Sequence, residues 1–145
     1  NDSLLLFYTG ITRQSGEILS EQKANISQKV ATLSEMKKLA FQAKGAIVEG
    51  AFNEFGEIMH RGWELKKGLA SKVSNSEIDD AYQAARRAGA IGGKITGAGG
   101  GGFLLLYCPN GKQDEVRRTL GGLRELPFCF QPSGSKVIFD YRSAE

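Results

Sequence analysis

A glycine-rich stretch at residues 89–102 runs directly into an apolar block at residues 103–108. Eight of the fourteen residues in this stretch are glycine, out of nineteen in the whole chain. Glycine accepts positive φ angles and lets a ligand or another backbone come close, at a cost in conformational entropy. The stretch therefore predicts a loop whose close contacts outweigh that cost, directly before a buried strand.

The chemistry of this loop is open to two interpretations. Successive backbone N–H groups in a tight glycine loop can form an anion-binding concavity, and Lys94 and Thr96 would add a cation and a hydroxyl. The order does not fit the phosphate loops that spacing alone identifies, because Lys94 precedes the main glycine run and the strand follows the loop. The alternative is a packing turn where a helix end and a strand approach closely.

Residues 94–103 resemble the third signature motif of the GHMP kinases, which are ATP-dependent kinases of small molecules. Other stretches resemble the sugar kinases of this family, and most of all those that act on D-glycero-D-manno-heptose 7-phosphate: residues 8–13, 63–67, 75–79 and 89–94. The resemblance covers essentially the whole chain, but it corresponds only to the C-terminal half of such an enzyme. It implies a ferredoxin-like domain.

The resemblance also implies binding residues. ATP or phosphate would be bound by Lys94, Thr96, Gly97, Ala98, Gly99, Gly100, Gly101 and Gly102. The sugar phosphate would be bound by Thr9, Arg13, Trp63 and Lys67. The loop would lie against the phosphate loop of an upstream kinase domain, where a side chain at Gly99 or Gly100 would occupy the space of a phosphate or a neighbouring backbone. For the sugar residues the alternative readings are a strand end with a helix-entry arginine, and core packing of Trp63.

Two parts of the family pattern do not occur in this chain: the phosphate loop P-x-G-x-G-S-S-A and the catalytic Asp that many members carry in the N-terminal half. We therefore predict no catalytic residue and no metal ligand here, with ATP and Mg²⁺ acting in a longer enzyme. The chain begins with Asn1 and a strand within its first few residues, which suggests a piece of something longer. Alone, it is expected to be inactive as a kinase.

Length and composition limit the number of domains, the partners and the location that we expect. A chain of 145 residues suits one domain, residues 1–145, that buries about 70% of its unfolded surface. The net charge of +3 fits anionic ligands, but the basic residues do not cluster as a nucleic-acid site requires. We find no signal peptide and no apolar run near the ~20 residues of a membrane helix. The expectation is a cytoplasmic protein with no membrane or nucleic-acid partner, and a homodimer is possible.

Apolar periodicity predicts an α+β fold, with a four-stranded, mainly antiparallel sheet backed by helices. The predicted strands are residues 4–9, 103–108, 127–130 and 136–141, the last two forming a hairpin. Five helices are predicted: from Arg13 through Leu19, along an apolar stripe from Ile26 to Ile47, along an aromatic stripe from Phe52 to Leu65, from a Ser76 cap with Asp79 to Gly89, and around Val116.

The remaining reactive side chains give weaker predictions. Cys108 and Cys129 lie in apolar strand patterns and are expected to be buried free thiols. His60 is expected on a helix surface or partly buried, and not as a catalytic base. Trp63 beside Lys66 or Lys67 would suit a sugar phosphate. The rival function is a non-catalytic ligand-binding or dimerisation module, since small α+β sheets also serve those roles.

Overall fold

The computed structural model describes residues 2–139. Its centre is one antiparallel sheet of four strands: β1 (Leu4–Tyr8), β2 (Gly92–Ile95), β3 (Phe103–Tyr107) and β4 (Arg124–Glu125), in the order β2-β3-β1-β4. The central pair β1 and β3 is in register along its whole length, from Leu4 opposite Tyr107 to Tyr8 opposite Phe103.

Five α-helices accompany the sheet: α1 (Ser15–Ala24), α2 (Val30–Val48), α3 (Phe52–Lys67), α4 (Ser76–Arg87) and α5 (Gln113–Thr119). A short 3-10 turn, Ile26–Gln28, precedes α2, so the long predicted helix begins four residues later than its apolar stripe. Gly50 and Gly89 follow α2 and α4 with φ of 72° and 111°, as expected of glycines that end helices.

The main core lies on one face of the sheet. Alternate residues of the central strands, Leu5 opposite Leu106 and Phe7 opposite Leu104, are buried together with residues of α1, α3, α4 and α5. A smaller cluster of Leu39, Ala46 and Ile58 joins α2 to α3. This arrangement confirms the predicted α+β class, with a four-stranded antiparallel sheet backed by helices.

The membership of the sheet differs from the prediction at both of its edges. Gly92–Ile95, which the sequence places in the glycine loop, is the edge strand β2. The predicted hairpin is wrong: none of residues 127–139 is in a strand, and residues 140 and 141 lie outside the described part. Cys129 is consequently exposed and not buried, whereas Cys108 is buried, and burial raises its pKa to about 11.

Two details of the helices also differ. The N-cap of α4 is Asn75, whose Oδ1 accepts a hydrogen bond from the backbone N–H of Ile78 at 3.0 Å. Ser76 is instead the first helical residue, because Asn75 caps at least as well and has the extended conformation that the position requires. In α2 the predicted stripe is largely exposed, since only Leu39 and Ala46 are buried against α3.

No helix within residues 2–139 is long and apolar enough to cross a membrane.

Candidate functional site

The glycine loop connects β2 to β3, and its backbone conformation requires glycine. Five of its residues have positive φ angles: Gly97 at 71°, Gly99 at 109°, Gly100 at 75°, Gly101 at 157° and Gly102 at 87°. L-residues with a side chain rarely adopt these angles, because Cβ crowds the backbone.

Three of these glycines are also required by close packing. A Cβ added at Gly99 would lie 2.7 Å from the carbonyl oxygen of Val73, and one at Gly100 would lie 2.7 Å from that of Lys72. At Gly101 it would overlap the carbonyl oxygen of Ile11. By contrast, a Cβ at Gly97 or Gly102 would meet no atom within 4 Å. The packing interpretation therefore holds for the middle of the loop, where the close neighbour is this domain's own backbone.

Thr9 and its neighbours are bound directly to the loop. The backbone N–H and the hydroxyl of Thr9 both donate to the carbonyl oxygen of Gly102, at 2.9 and 3.0 Å. The N–H of Gly102 donates back to Ile11 at 2.8 Å. Arg13 is exposed, and its Cγ would lie 3.5 Å from a Cβ at Gly100. The structure thus brings Thr9 and Arg13 together with the glycine loop.

The backbone N–H groups in the first part of the loop have no acceptor among the described residues. The N–H groups of Gly100 and Gly102 bind carbonyl oxygens of Val73 and Ile11. Those of Gly97, Ala98 and Gly99 make no hydrogen bond within the described part of the chain. Gly97 and Gly99 have positive φ and Ala98 does not, an alternation that can turn successive N–H groups toward one anion. These three amides are the best candidate for a phosphate site.

Two lysines lie beside these amides. Lys66, in the last turn of α3, donates a hydrogen bond from Nζ to the carbonyl oxygen of Gly97. Lys94 projects from β2 and is exposed. Burial, and then the nearby charge of Lys94, lower the pKa of Lys66 to about 8. Neither lysine has an acidic partner among residues 2–139, so both remain available to an anion.

In contrast to Thr9, Trp63 and Lys67 contact side chains of α3 and α4. The side chain of Trp63 is 1% exposed, and its ring packs against Tyr82 with centroids 6.4 Å apart. Lys67 forms ion pairs with Glu64 at 3.0 Å and Asp79 at 3.4 Å. The cation that reaches the loop is Lys66, one residue earlier, which the sequence offers only as the alternative to Lys67. Both lysines follow Trp63 at helical spacing, and no sequence signal separates them.

His60 is partly buried, and its Nδ1 lies 2.8 Å from the hydroxyl oxygen of Tyr82. Burial, and then the charge of Arg86, lower the pKa of its imidazole. Among residues 2–139, no three His, Cys, Asp or Glu side chains are grouped to hold a metal ion.

The lowered pKa of Lys66 predicts that its amine is labelled at a lower pH than the amine of an ordinary lysine. Amines react with acetic anhydride only when neutral, and the neutral fraction of a lysine grows as pH rises through its pKa. We expect the labelling rate of Lys66 to level off above a midpoint near pH 8, as read by peptide mass spectrometry over a pH series. A midpoint near the usual value of 10.5 would contradict the burial of this ammonium group.

Comparison with known proteins places the chain in a family. Residues 43–122 match the family described as "GHMP kinases C terminal". The chain is 29% identical over 118 residues to D-glycero-alpha-D-manno-heptose 7-phosphate kinase of Campylobacter jejuni. It is 38% identical over 111 residues to L-fucokinase/L-fucose-1-P guanylyltransferase of Bacteroides fragilis, and 35% over 128 residues to mevalonate kinase of Pyrococcus abyssi.

These matches cover most of this chain but little of the relatives. They take in 80%, 74% and 81% of the chain, against 35%, 12% and 37% of the three relatives. The crystal structure of L. major mevalonate kinase in complex with R-mevalonate superposes with a TM-score of 0.72 at 22% identity. That superposition covers 82% of this chain and 37% of the kinase, and at this identity it establishes the fold alone.

Proposed function

Because this chain belongs to the family of GHMP kinase C-terminal domains, we propose that it is the C-terminal part of an ATP-dependent small-molecule kinase. The rest of that enzyme would lie upstream and would supply the phosphate loop that this sequence lacks. The observation that carries the proposal is the free amides of Gly97, Ala98 and Gly99, which lie beside Lys66 and Lys94. Such an enzyme would act in the cytoplasm, where ATP is supplied.

The chemistry follows from the charges of the site. Phosphoryl transfer depends on positioning the reactants and on neutralising charge on the phosphates. The three amides would hold phosphate oxygens, and Lys94 would offset their negative charge. The hydrogen bonds between Thr9 and Gly102 hold the loop against the segment that carries Arg13, whose Cγ would lie 3.5 Å from a Cβ at Gly100. Since the described residues form no metal cluster, Mg²⁺ would be held by the nucleotide and the upstream part.

The acceptor is proposed from resemblance. The relatives are named for different acceptors, namely a heptose 7-phosphate, L-fucose and mevalonate. We propose a sugar phosphate, with D-glycero-D-manno-heptose 7-phosphate as the first candidate, because residues 8–13, 63–67 and 75–79 resemble the sugar kinases. A free sugar is the second candidate.

The proposal predicts that kinase activity requires the upstream part. We expect ADP release from ATP and Mg²⁺ when the chain is joined to that part and supplied with the right acceptor. The panel would contain heptose 7-phosphate, L-fucose and R-mevalonate. The 145-residue chain alone should release no ADP above background, since it has no phosphate loop of its own.

Two outcomes would contradict this account. Turnover by the chain alone would show that the upstream part is dispensable. If the folded, extended protein released no ADP with a wide panel of sugars, sugar phosphates and mevalonate, the result would instead favour a non-catalytic binding module.

A further inference from the structure

A small cavity lies between α2 and α3, next to the glycine loop. Its volume is about 180 Å³, and its walls are mostly apolar, including Met36, Ile58, Met59 and Trp63. Pockets for drug-sized ligands are roughly 300–1,000 Å³, so this cavity can take one end of a small molecule but not a nucleotide. The part of the chain that the structure describes contributes only two charged residues to its lining, and both are lysines, Lys66 and Lys94.

The two cations at this cavity lack acidic partners in the described part of the chain. On α2 and α3, Lys38 and Arg61 pair with Glu35, and Lys67 pairs with Glu64 and Asp79. Lys66 and Lys94 have none within residues 2–139, and the charge of Lys94 contributes, after burial, to the lowered pKa of Lys66. A bound anion would relieve that repulsion. A phosphate monoester carries a charge of about −1.5 to −2 at pH 7 and matches two ammonium groups better than a carboxylate does.

One residue of the cavity wall also carries a polar group without a partner within residues 2–139. The indole N–H of Trp63, whose side chain lines the cavity, is buried and has no hydrogen-bond partner among the described residues. Buried polar groups are nearly always satisfied, so an exception requires a cause such as an absent ligand.

We propose that Lys66 and Lys94 bind a phosphate group that the acceptor already carries, at the mouth of the cavity between α2 and α3. The identity of the acceptor as a kinase substrate rests on the function proposed above. Lys66 also binds the carbonyl oxygen of Gly97, so one side chain connects the acceptor site to the loop that would hold the transferred phosphate. The two lysines would thereby select phosphorylated acceptors over free sugars.

The test compares two acceptors that differ by one phosphate, using the chain joined to its upstream part. The acceptors are D-glycero-D-manno-heptose 7-phosphate and the same heptose without the phosphate. Lys66→Met is expected to raise KM for the phosphorylated heptose roughly 10- to 100-fold, the usual effect of losing a hydrogen bond to a charged group. KM for the free heptose should change less than about twofold. The rise in KM for ATP, whose loop Lys66 also contacts, should be smaller than the rise for the phosphorylated heptose.

Lys38→Met is the matched control, because Lys38 lies on α2, is exposed and pairs with Glu35 on the same helix. It should leave all three KM values unchanged. Lys94→Met is the second test variant. Lys94 is exposed, so this substitution keeps the fold even if Lys66→Met does not. Equal effects of either test variant on both heptoses, or no effect on either, would overturn the proposal.

A binding measurement separates this inference from the kinase assignment. Calorimetric titration with heptose 7-phosphate in the absence of ATP should show binding that Lys66→Met and Lys94→Met weaken and Lys38→Met does not. Lysine-dependent binding without any ADP release would support the phosphate site and refute the kinase assignment. ADP release that does not distinguish the two heptoses would refute the phosphate site and leave the kinase assignment intact.

Discussion

Gly92→Ala is expected to lower the free energy of unfolding by about 3 kcal/mol or more, at the upper end of the effects of overpacking. An added Cβ at Gly92 would overlap the carbonyl oxygen of Gly56 in α3. It would also lie 2.9 Å from the backbone nitrogen of His60. Gly92 does not have a left-handed φ, so the expected loss is purely steric. Both obstacles are helix backbone, which cannot turn aside as a flexible side chain can.

The steric overlap at Gly92 would also disturb the candidate site. Helix α3 carries Lys66, and strand β2 carries Lys94 and leads into the glycine loop. Any shift that relieves the overlap at Gly92 would move α3 away from β2 and separate the two lysines. We therefore expect Gly92→Ala to lower both the urea midpoint and kinase activity.

Gly45→Ala is the matched control for this prediction. Gly45 lies inside α2, and a Cβ there would meet no atom within 4 Å. Alanine in a helix interior is more stable than glycine by about 0.5–1 kcal/mol, so this variant should unfold at higher urea. Similar urea midpoints for the two alanine variants would contradict the close crossing of α3 over β2.

The second large effect is expected at Gly97, where charge can be tested apart from packing. Gly97→Asp should reduce kcat/KM about 100-fold relative to Gly97→Asn, which corresponds to roughly 3 kcal/mol of like-charge repulsion. A carboxylate at this position would lie among the free amides and would neutralise Lys66 or Lys94, so it would oppose a phosphate in both ways. The measurement is steady-state ADP release by the chain joined to its upstream part.

Gly97→Asn is the matched control for Gly97→Asp. Asparagine has almost the shape of aspartate, and both residues tolerate left-handed φ better than other side chains do. Nothing lies within 4 Å of a Cβ at Gly97, so both variants should fold, with the same cost of about 1–2 kcal/mol for the backbone angle. Equal activity of the two variants would show that the start of the loop faces no phosphate.

Local backbone rules explain which parts of the fold the sequence predicts. Gly50 and Gly89 end helices because glycine reaches left-handed φ at little cost, and that can be inferred from neighbouring residues alone. The loop 97–102 is predictable for the same reason. The alternation that buries Leu5 and Phe7 likewise follows from the period of a strand.

The edges of the sheet depend on tertiary contacts and could not be predicted in this way. Gly92 and Gly93 have low strand propensity, yet β2 forms because it pairs with β3 and because only glycine permits α3 to cross so closely. Val137 and Ile138 have high strand propensity, but within residues 127–139 no partner strand is paired with them. Propensity describes a surface that suits a strand and does not supply its partner.

In the candidate site, too, some features follow from the local sequence and others depend on tertiary contacts. Its glycines are evident in the sequence, whereas the distinction between Lys66 and Lys67 depends on where α4 lies. Asp79 in α4 reaches Lys67 and leaves Lys66 to bind Gly97. Which loop amides remain free likewise depends on the carbonyl groups of Ile11 and Val73, far from the loop in sequence.

Amide NMR of the chain joined to its upstream part, titrated with Mg²⁺ and the ATP analogue AMPPNP, tests the central claim most directly. Our account predicts large shifts of the N–H signals of Gly97, Ala98 and Gly99. The signals of Gly100 and Gly102 should move less, because their N–H groups already bind protein carbonyls. Bound nucleotide that leaves the first three signals unchanged would contradict the assignment of this loop to phosphate binding.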